Sequence, residues 1–358
     1  MGKTLKEVKL GIIGFGFMGH EHMNMLASKV PGICVKAVCD TNENQLKDVP
    51  EGVHVYSDAD DLLKDTEVNT VIISVPNRLH PEMVKKACDA GKDIICEKPA
   101  ALSVALFDEM MEEVKKAGIH FTVHQQRRLD PDFRTAKNVY DQNLVGKVYT
   151  VQSTLYGING NMHDWHVYKS EGGGMLYDWG VHLLDQLLFM IKSPVKTVYA
   201  DVRNVINKEV DDYFKIELYF ENGVVGEAEL GTYFLADRPK WFERHWFIGG
   251  DKGSAYSDGF DPEGKVARTT RLLTNVPGTI TMSASGPTRS FGPPQPGVLV
   301  TEELPKASTE HKMFWENYYK AVNGEEEFLV RPEEVRRVLC LMDAVRKSGE
   351  THQTVDFE

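Results

Sequence analysis

Cysteine is scarce in this chain of 358 residues: Cys34, Cys39, Cys88, Cys96 and Cys340 are its five thiols, and no CxxC pair occurs. That excludes a disulfide scaffold and a thiolate zinc site, and the strand-like or helical apolar runs around four of the five suit reduced, buried thiols. Long hydrophobic runs are missing as well. No segment approaches the ~20 uninterrupted apolar residues of a membrane span. Met1 to Lys9 lacks the apolar core of a signal peptide, and Lys6 spoils a myristoylation motif. The expectation is a cytoplasmic protein with no membrane partner. Positive charge is in deficit, with 41 Lys and Arg against 53 Asp and Glu and a net charge of −12. No basic stripe with interleaved aromatics appears, so no nucleic-acid partner is expected. No internal repeat is visible.

The length exceeds the roughly 100–200 residues usual for one domain, so two are expected. From Val8 to about Arg128 short β-rich apolar runs alternate with segments of helical period. The runs are Val8–Gly14, Ile33–Asp40, Thr70–Pro76, Asp93–Glu97 and His120–His124; the helical segments are Gly19–Lys29, Pro81–Ala90 and Ser103–Ala117. This pattern predicts an α/β domain, a doubly wound parallel sheet of the Rossmann kind, over residues 1–127. Residues 128–358 read as an α+β domain with an open, mainly antiparallel sheet. Its strands are expected at Lys147–Tyr156, Thr197–Arg203, Tyr213–Phe220, Val224–Phe234 and Trp241–Ile248, and its helices at Asp132–Gln142, Met175–Lys192, Glu310–Val322 and Pro332–Lys347. Residues 258–308, rich in Gly, Pro, Ser and Thr, read as irregular loops.

Gly14-Phe15-Gly16-Phe17-Met18-Gly19 follows a predicted strand and opens a predicted helix. In that context a GxGxxG run lets backbone N–H groups approach a pyrophosphate at the helix start. Asp40 ends the second strand about 20 residues on, where a carboxylate accepts hydrogen bonds from ribose hydroxyls and repels a 2′-phosphate. No Arg follows it, so the cofactor expected is NAD. Ser74, Pro76, Asn77 and His80 lie where the next strand would end, on the same crevice, with Asn77 and His80 equally readable as turn and helix-start residues.

Glu97-Lys98-Pro99 closes the Asp93–Glu97 run on the same crevice, with Glu97 and Lys98 expected beside the cofactor. Lys98 there can donate to a substrate oxygen and favour a developing alkoxide. Gly172-Gly173-Gly174, glycines expected to let the backbone come close to a ligand, precedes Asp178 and His182, four apart, which on a helix share one face near its N-terminus. That makes an acid/base pair in outline, with the helix start keeping Asp178 ionised and His182 neutral. His163-Asp164-Trp165-His166 is a tempting cluster, but a metal needs three or four converging ligands. No metal is expected, and His163 and Trp165 are read as substrate or nicotinamide contacts. In Gln125-Gln126-Arg127-Arg128 one arginine, Arg127, is expected at substrate and the other in solvent.

The glycine motif, Asp40, Glu97-Lys98-Pro99 and the Gly-Gly-Gly-x-x-x-Asp-x-Gly-x-His-x-x-Asp run at 172–185, in this order, strongly resemble the Gfo/Idh/MocA family, which includes glucose-fructose oxidoreductase and inositol dehydrogenase. The resemblance implies hydride transfer between NAD(P) and a sugar or cyclitol alcohol, and a C-terminal sheet that forms a homo-oligomer interface. It also implies a catalytic triad of Lys98, Asp178 and His182, with His182 accepting the proton, Lys98 polarising the oxygen and Asp178 orienting substrate. Many relatives carry Trp-Arg before the glycines where this chain has Trp165-His166. That departure favours a neutral sugar, glycoside or cyclitol, with Tyr156, Asn159 and Trp165 suited to stacking and hydrogen bonding. Two alternatives keep the same fold. One is glycoside C3 oxidation with retained NAD, priming elimination; the other is a non-catalytic NAD-dependent regulator, which would have no reason to keep all three triad residues.

Overall fold

Strands with sequences such as VKLGII, TVII and DIIC carry apolar side chains at consecutive positions, so both faces of their sheet need cover. The computed structural model describes residues 5–157, 162–234, 244–274, 280, 282–287 and 297–357. In it β1 (Val8–Ile13), β2 (Ile33–Cys39), β3 (His54–Tyr56), β4 (Thr70–Ile73), β5 (Asp93–Cys96) and β6 (Phe121–Val123) form one sheet. All neighbours are parallel, in the order β3-β2-β1-β4-β5-β6. The order reverses between β1 and β4, which opens a crevice at the carboxyl ends of these strands.

The cover includes α1 (Phe17–Glu21), α2 (Ala59–Lys64), α3 (His80–Asp89) and α4 (Val104–Ala117). Helix α4 shows how local the coding is. The Ser103 side chain accepts from the Leu106 N–H, Gly118 ends the helix at φ +67°, and Phe107 and Met110 face the core. The helix expected over Gly19–Lys29 is broken up: α1 runs into a π-helical turn, His22–Leu26, and a 3₁₀ turn, Ala27–Lys29. The wide turn brings His22, Met23 and Leu26 into the interior together.

The rest of the chain begins with α5 (Pro131–Asp141) and β7 (Val148–Tyr156). A π-helical turn, Leu176–Gly180, then leads into α6 (Val181–Met190). Next come β8 (Val195–Arg203), β9 (Tyr213–Phe220), β10 (Val225–Gly231), β11 (Arg244–Gly250), β12 (Gly253–Asp258), β13 (Glu263–Thr269), the small hairpin β14 and β15 (Met282–Ser283, Gly286–Pro287) and β16 (Leu299–Glu303). Helices α7 (Lys312–Val322) and α8 (Pro332–Thr351) and the short β17 (Val355–Asp356) finish the chain. The second sheet has nine strands, β16-β13-β12-β11-β7-β10-β9-β8-β17, mostly antiparallel, with one parallel pair, β7 and β10.

Region 258–308, expected to be irregular, contributes β13, β16 and the small hairpin. In β13 only Val266 and Thr269 are buried, so its apolar signal is too thin to read as a strand. Asn159 and the start of the strand expected at Trp241 lie outside the described residues. One face of the second sheet, with Phe214, Ile216, Leu218, Ala228, Leu230 and Ile248, is buried beneath α5, α6 and α8. The other face leaves Tyr199, Tyr219 and Tyr256 exposed. Helices α7 and α8 pack back on the first sheet. Phe314 and Trp315 sit on the rings of His22 and His124, and the Thr122 hydroxyl donates to the Val330 carbonyl at 2.8 Å.

Candidate active site

The turn after β1 needs its glycines for different reasons. Gly14 has φ +90°, and a Cβ there would lie 2.5 Å from the Ser74 carbonyl oxygen; at Gly19 it would lie 2.5 Å from the Gly14 oxygen. At Gly16 it would meet nothing within 4 Å. Gly16 begins α1 without a side-chain cap, so first-turn N–H groups stay open to the crevice. Phe17 is 79% exposed at this mouth and Met18 is half-buried, whereas the Phe15 ring is buried against His20. Phe15 contributes its backbone N–H, which donates to the Asp40 carboxylate at 2.7 Å, and the Asn42 N–H donates to the other oxygen at 2.8 Å. Two backbone donors thus aim Asp40 from the end of β2, and the Ser74 hydroxyl ties the β4 end to the Gly14 carbonyl at 2.8 Å. These residues fit a dinucleotide: an uncapped helix start, an open glycine and an oriented carboxylate at ribose spacing.

Lys98, Asp178 and His182 converge across the crevice. The Lys98 ammonium donates to Asp178 twice, to Oδ1 at 2.7 Å and to the backbone carbonyl at 2.9 Å. An ammonium has three donors, so one remains for a substrate oxygen. Burial would lift the Asp178 carboxyl, but the Lys98 charge and hydrogen bond, with His166 and Arg127 behind them, hold it below the usual carboxylate range. His182 is held well below its ordinary value, first by burial and then by the Lys98 and Arg127 charges. A neutral imidazole results, as a general base requires. Asp178 and His182 do not bond each other, although they lie four apart. Asp178 sits in the π-helical turn and turns to Lys98; His182 sits in α6, and its Nδ1 is 3.0 Å from Gln125 Oε1.

Beneath Lys98 lies a trio that sequence reasoning missed. Glu97 Oε1 accepts from His22 Nε2 at 2.8 Å and His124 Nδ1 at 2.9 Å, and Oε2 accepts from the Lys98 N–H at 3.2 Å. All three are buried. Burial alone would lift the Glu97 carboxyl, but His124 and His22 hold it well below its usual range, while burial and then His124 push His22 down to about 4. The ligand atoms lie within 4.8 Å of one another, as a metal would ask. A metal here would displace the imidazole protons to His22 Nδ1 and His124 Nε2, and both atoms are buried with nothing to accept a hydrogen bond. The trio instead suits a buried carboxylate that accepts a hydrogen bond from each imidazole, with Lys98 carried on its backbone.

Other expected residues have different places. His80, expected beside the cofactor, is fully buried with its ring nitrogens 2.9 Å from the Val75 and Pro99 carbonyls, so it ties two crevice loops together. Asn77 is buried and donates to the Gly172 carbonyl at 3.2 Å, while Pro76 is half-buried. The three glycines were expected to admit a ligand. Their close approaches are internal: an added Cβ would meet Leu102 at Gly172, the His166 carbonyl at Gly173 and Asp211 at Gly174.

Tyr156 is not brought to the triad. Its hydroxyl donates to Glu229 at 3.1 Å on the open face of the second sheet, because strand alternation sends Val151 and Ser153 inward and Tyr156 outward. His163 is exposed and pairs with Asp164 at 2.7 Å. Trp165 stacks on His166 with centroids 3.8 Å apart, above Gly173. Arg127 lies over the Trp179 ring at 3.9 Å, next to His182, and pairs with Asp130 at 3.0 Å. Arg128, expected in solvent, is 2% exposed. It forms a fork on Asp185 at 2.7 and 2.8 Å and also reaches Glu334 and the Leu329 carbonyl, so Asp185 of the motif is structural.

A Rossmann sheet with an open glycine turn, joined to a helix that faces Lys98 with a carboxylate and a neutral imidazole, defines an NAD-binding oxidoreductase. Residues 8–125 match the description "Oxidoreductase family, NAD-binding Rossmann fold", and residues 133–256 match "GFO/IDH/MocA C-terminal domain". The chain belongs to the GFO/IDH/MocA family. A crystal structure of an NAD-binding protein from Listeria innocua superposes with a TM-score of 0.90 at 34% identity, covering 98% of this chain and 100% of that one. A myo-inositol 2-dehydrogenase from Thermotoga maritima is 27% identical over 282 residues, 76% of this chain and 79% of that protein. A 2,7-anhydro-N-acetylneuraminate hydratase from Mediterraneibacter gnavus is 28% identical over 261 residues, 71% of this chain and 68% of that protein.

Proposed function

We propose that this protein oxidises a secondary hydroxyl of a neutral sugar, glycoside or cyclitol to a ketone, dividing the work between a cofactor domain at 1–127 and a substrate and oligomerisation domain at 128–358. The observation that carries the reading is the convergence of Lys98, Asp178 and a buried, neutral His182 at the mouth of the dinucleotide crevice. The substrate hydroxyl lies between the free donor of Lys98 and His182. His182 takes the O–H proton, Lys98 stabilises the negative charge that grows on oxygen, and Asp178 holds the ammonium in place. Bound NAD supplies the acceptor for the hydride, so that the C–H electron pair leaves as the C=O bond forms. Arg127 is already paired with Asp130, which supports a neutral rather than acidic substrate. Trp165 borders this cleft. The exposed tyrosines of the second sheet support a homo-oligomer through that face, and the scattered thiols support a cytoplasmic setting.

The test combines NAD with a panel of free sugars, inositols and glycosides, following NADH absorbance. Lys98→Ala and His182→Ala should each lower turnover by about 10²–10⁴-fold with NAD affinity unchanged. Wild-type turnover in either variant would overturn the assignment. The hydratase among the relatives favours a second reading, in which NAD is retained and the net reaction is redox-neutral. Nucleotide that survives gel filtration, with product formed and no NADH accumulating, would select it.

A further inference from the structure

We infer that Gln125 is the positioning residue that sets the ring state of His182, holding it as the Nδ1–H tautomer with Nε2 bare toward the cleft. The inference rests on the reading of His182 as the base. The two side chains are 2% and 3% exposed, and Gln125 Oε1 lies 3.0 Å from His182 Nδ1. An amide oxygen can only accept, so the shared proton belongs to Nδ1, and a neutral ring then carries its lone pair on Nε2. Nε2 makes no hydrogen bond to any described residue.

Gln125 is itself held firmly. Its N–H donates to the Val123 carbonyl at 2.8 Å, its carbonyl accepts from the Arg128 N–H at 3.2 Å, and the 3₁₀ turn Gln126–Leu129 follows directly. The orienting group therefore comes from the end of β6, in the first domain, and reaches a helix of the second.

The choice of an amide has a chemical consequence. A carboxylate at this position would attract the second proton onto the ring; an uncharged oxygen orients the imidazole without doing so. The charged groups that act most on His182 come from the elements packed around it. Lys98, from the loop after β5, and Arg127, from the turn after β6, oppose the imidazolium, as does His124; Glu97 favours it from beneath. Asp178, one turn earlier in the same helical run, is bonded to Lys98. Gln125 thus gives direction to a base whose proton affinity the cations keep low.

The decisive measurement needs no substrate. In protein labelled with ¹³C and ¹⁵N at histidine, with His182→Gln assigning the signal, the ring shifts report tautomer and titration directly. Wild type should show Nδ1 protonated and Nε2 bare near neutral pH. Gln125→Glu should raise the His182 midpoint by at least about one pH unit, a tenfold gain in proton affinity, and Gln125→Leu should lose the Nδ1–H preference. An Nε2–H ring in wild type would overturn the inference without recourse to any variant. So would an unchanged midpoint in Gln125→Glu whose other histidine signals and melting temperature match wild type. Turnover of His182→Gln on the sugar panel separates the two ideas: wild-type turnover there removes the base assignment, while the tautomer result stands or falls alone.

Discussion

Replacing His22 with Gln should flatten the acid limb of this protein's stability. His22 is fully buried, donates to Glu97 at 2.8 Å, and packs edge-on against His124 and Trp315 with centroids 4.6 and 5.4 Å away. Burial, and then His124, bring its pKa from 6.5 to about 4. In the unfolded chain the ring takes a proton near pH 6.5, whereas the folded ring waits until about 4. Between those values the unfolded state binds more protons, so stability falls as pH falls, and the contribution is fully present only above 6.5. A difference of about 2.5 units at roughly 1.4 kcal/mol each makes about 3 kcal/mol. A Gln amide can offer Glu97 an N–H from nearly the same place and does not titrate. Urea unfolding of both proteins at steps from about pH 7 to about pH 4 should show wild type losing about 3 kcal/mol more than His22→Gln across that range. His80 and His182 are depressed in both proteins and cancel in the comparison. Parallel stability curves would refute the reasoning.

Gly14→Ala should melt lower and lose NAD, since a left-handed φ and a Cβ 2.5 Å from the Ser74 carbonyl together exceed what local shifts absorb. Gly16→Ala should melt like wild type, because its Cβ meets open space, yet bind NAD at least about tenfold more weakly by fluorescence titration. Asp40→Ala leaves two backbone donors unpaired and removes the ribose acceptor. Its NAD affinity should fall by about tenfold or more while the NAD-to-NADP ratio drops, read by titrating both nucleotides. Asp185→Leu removes both fork contacts of the buried Arg128 guanidinium and leaves Glu334 as its remaining counter-charge, and denaturant unfolding should show a loss of about 3 kcal/mol.

Where a signal is local, the sequence carried it. The glycine turn, Asp40 and the end of α4 at Ala117 are each set by their own few residues, and they stand where expected. Lys98 and Asp178 were legible as members of one triad, though their direct 2.7 Å contact was not, because it spans 80 residues. His22, His124 and Gln125 were invisible for the same reason. A single histidine or glutamine has no periodicity, and what gives each its role is a side chain many residues away. Tyr156 failed differently: its residue type suited a sugar, but the parity of β7 decides its face and points it to Glu229. The π-helical turns at 22–26 and 176–180 have no sequence signature comparable to a cap, and they explain why the helical spacing of Asp178 and His182 did not make them neighbours in bonding.

The parallel pairing of β7 with β10 bears on how the second sheet comes into being. Strand β7 sits in the middle of the sheet, yet its two neighbours, β10 and β11, start at Val225 and Arg244, long after β7 ends at Tyr156. No hairpin can zip it up. On the ribosome β7 emerges before either neighbour and stays unmatched until β10 follows, with α6, β8 and β9 emerging in the interval. Closing the long loop to β7 is then an entropically costly step of folding, and the centre of the sheet gains its hydrogen bonds only after the strands beside it in the β8–β9–β10 meander have emerged.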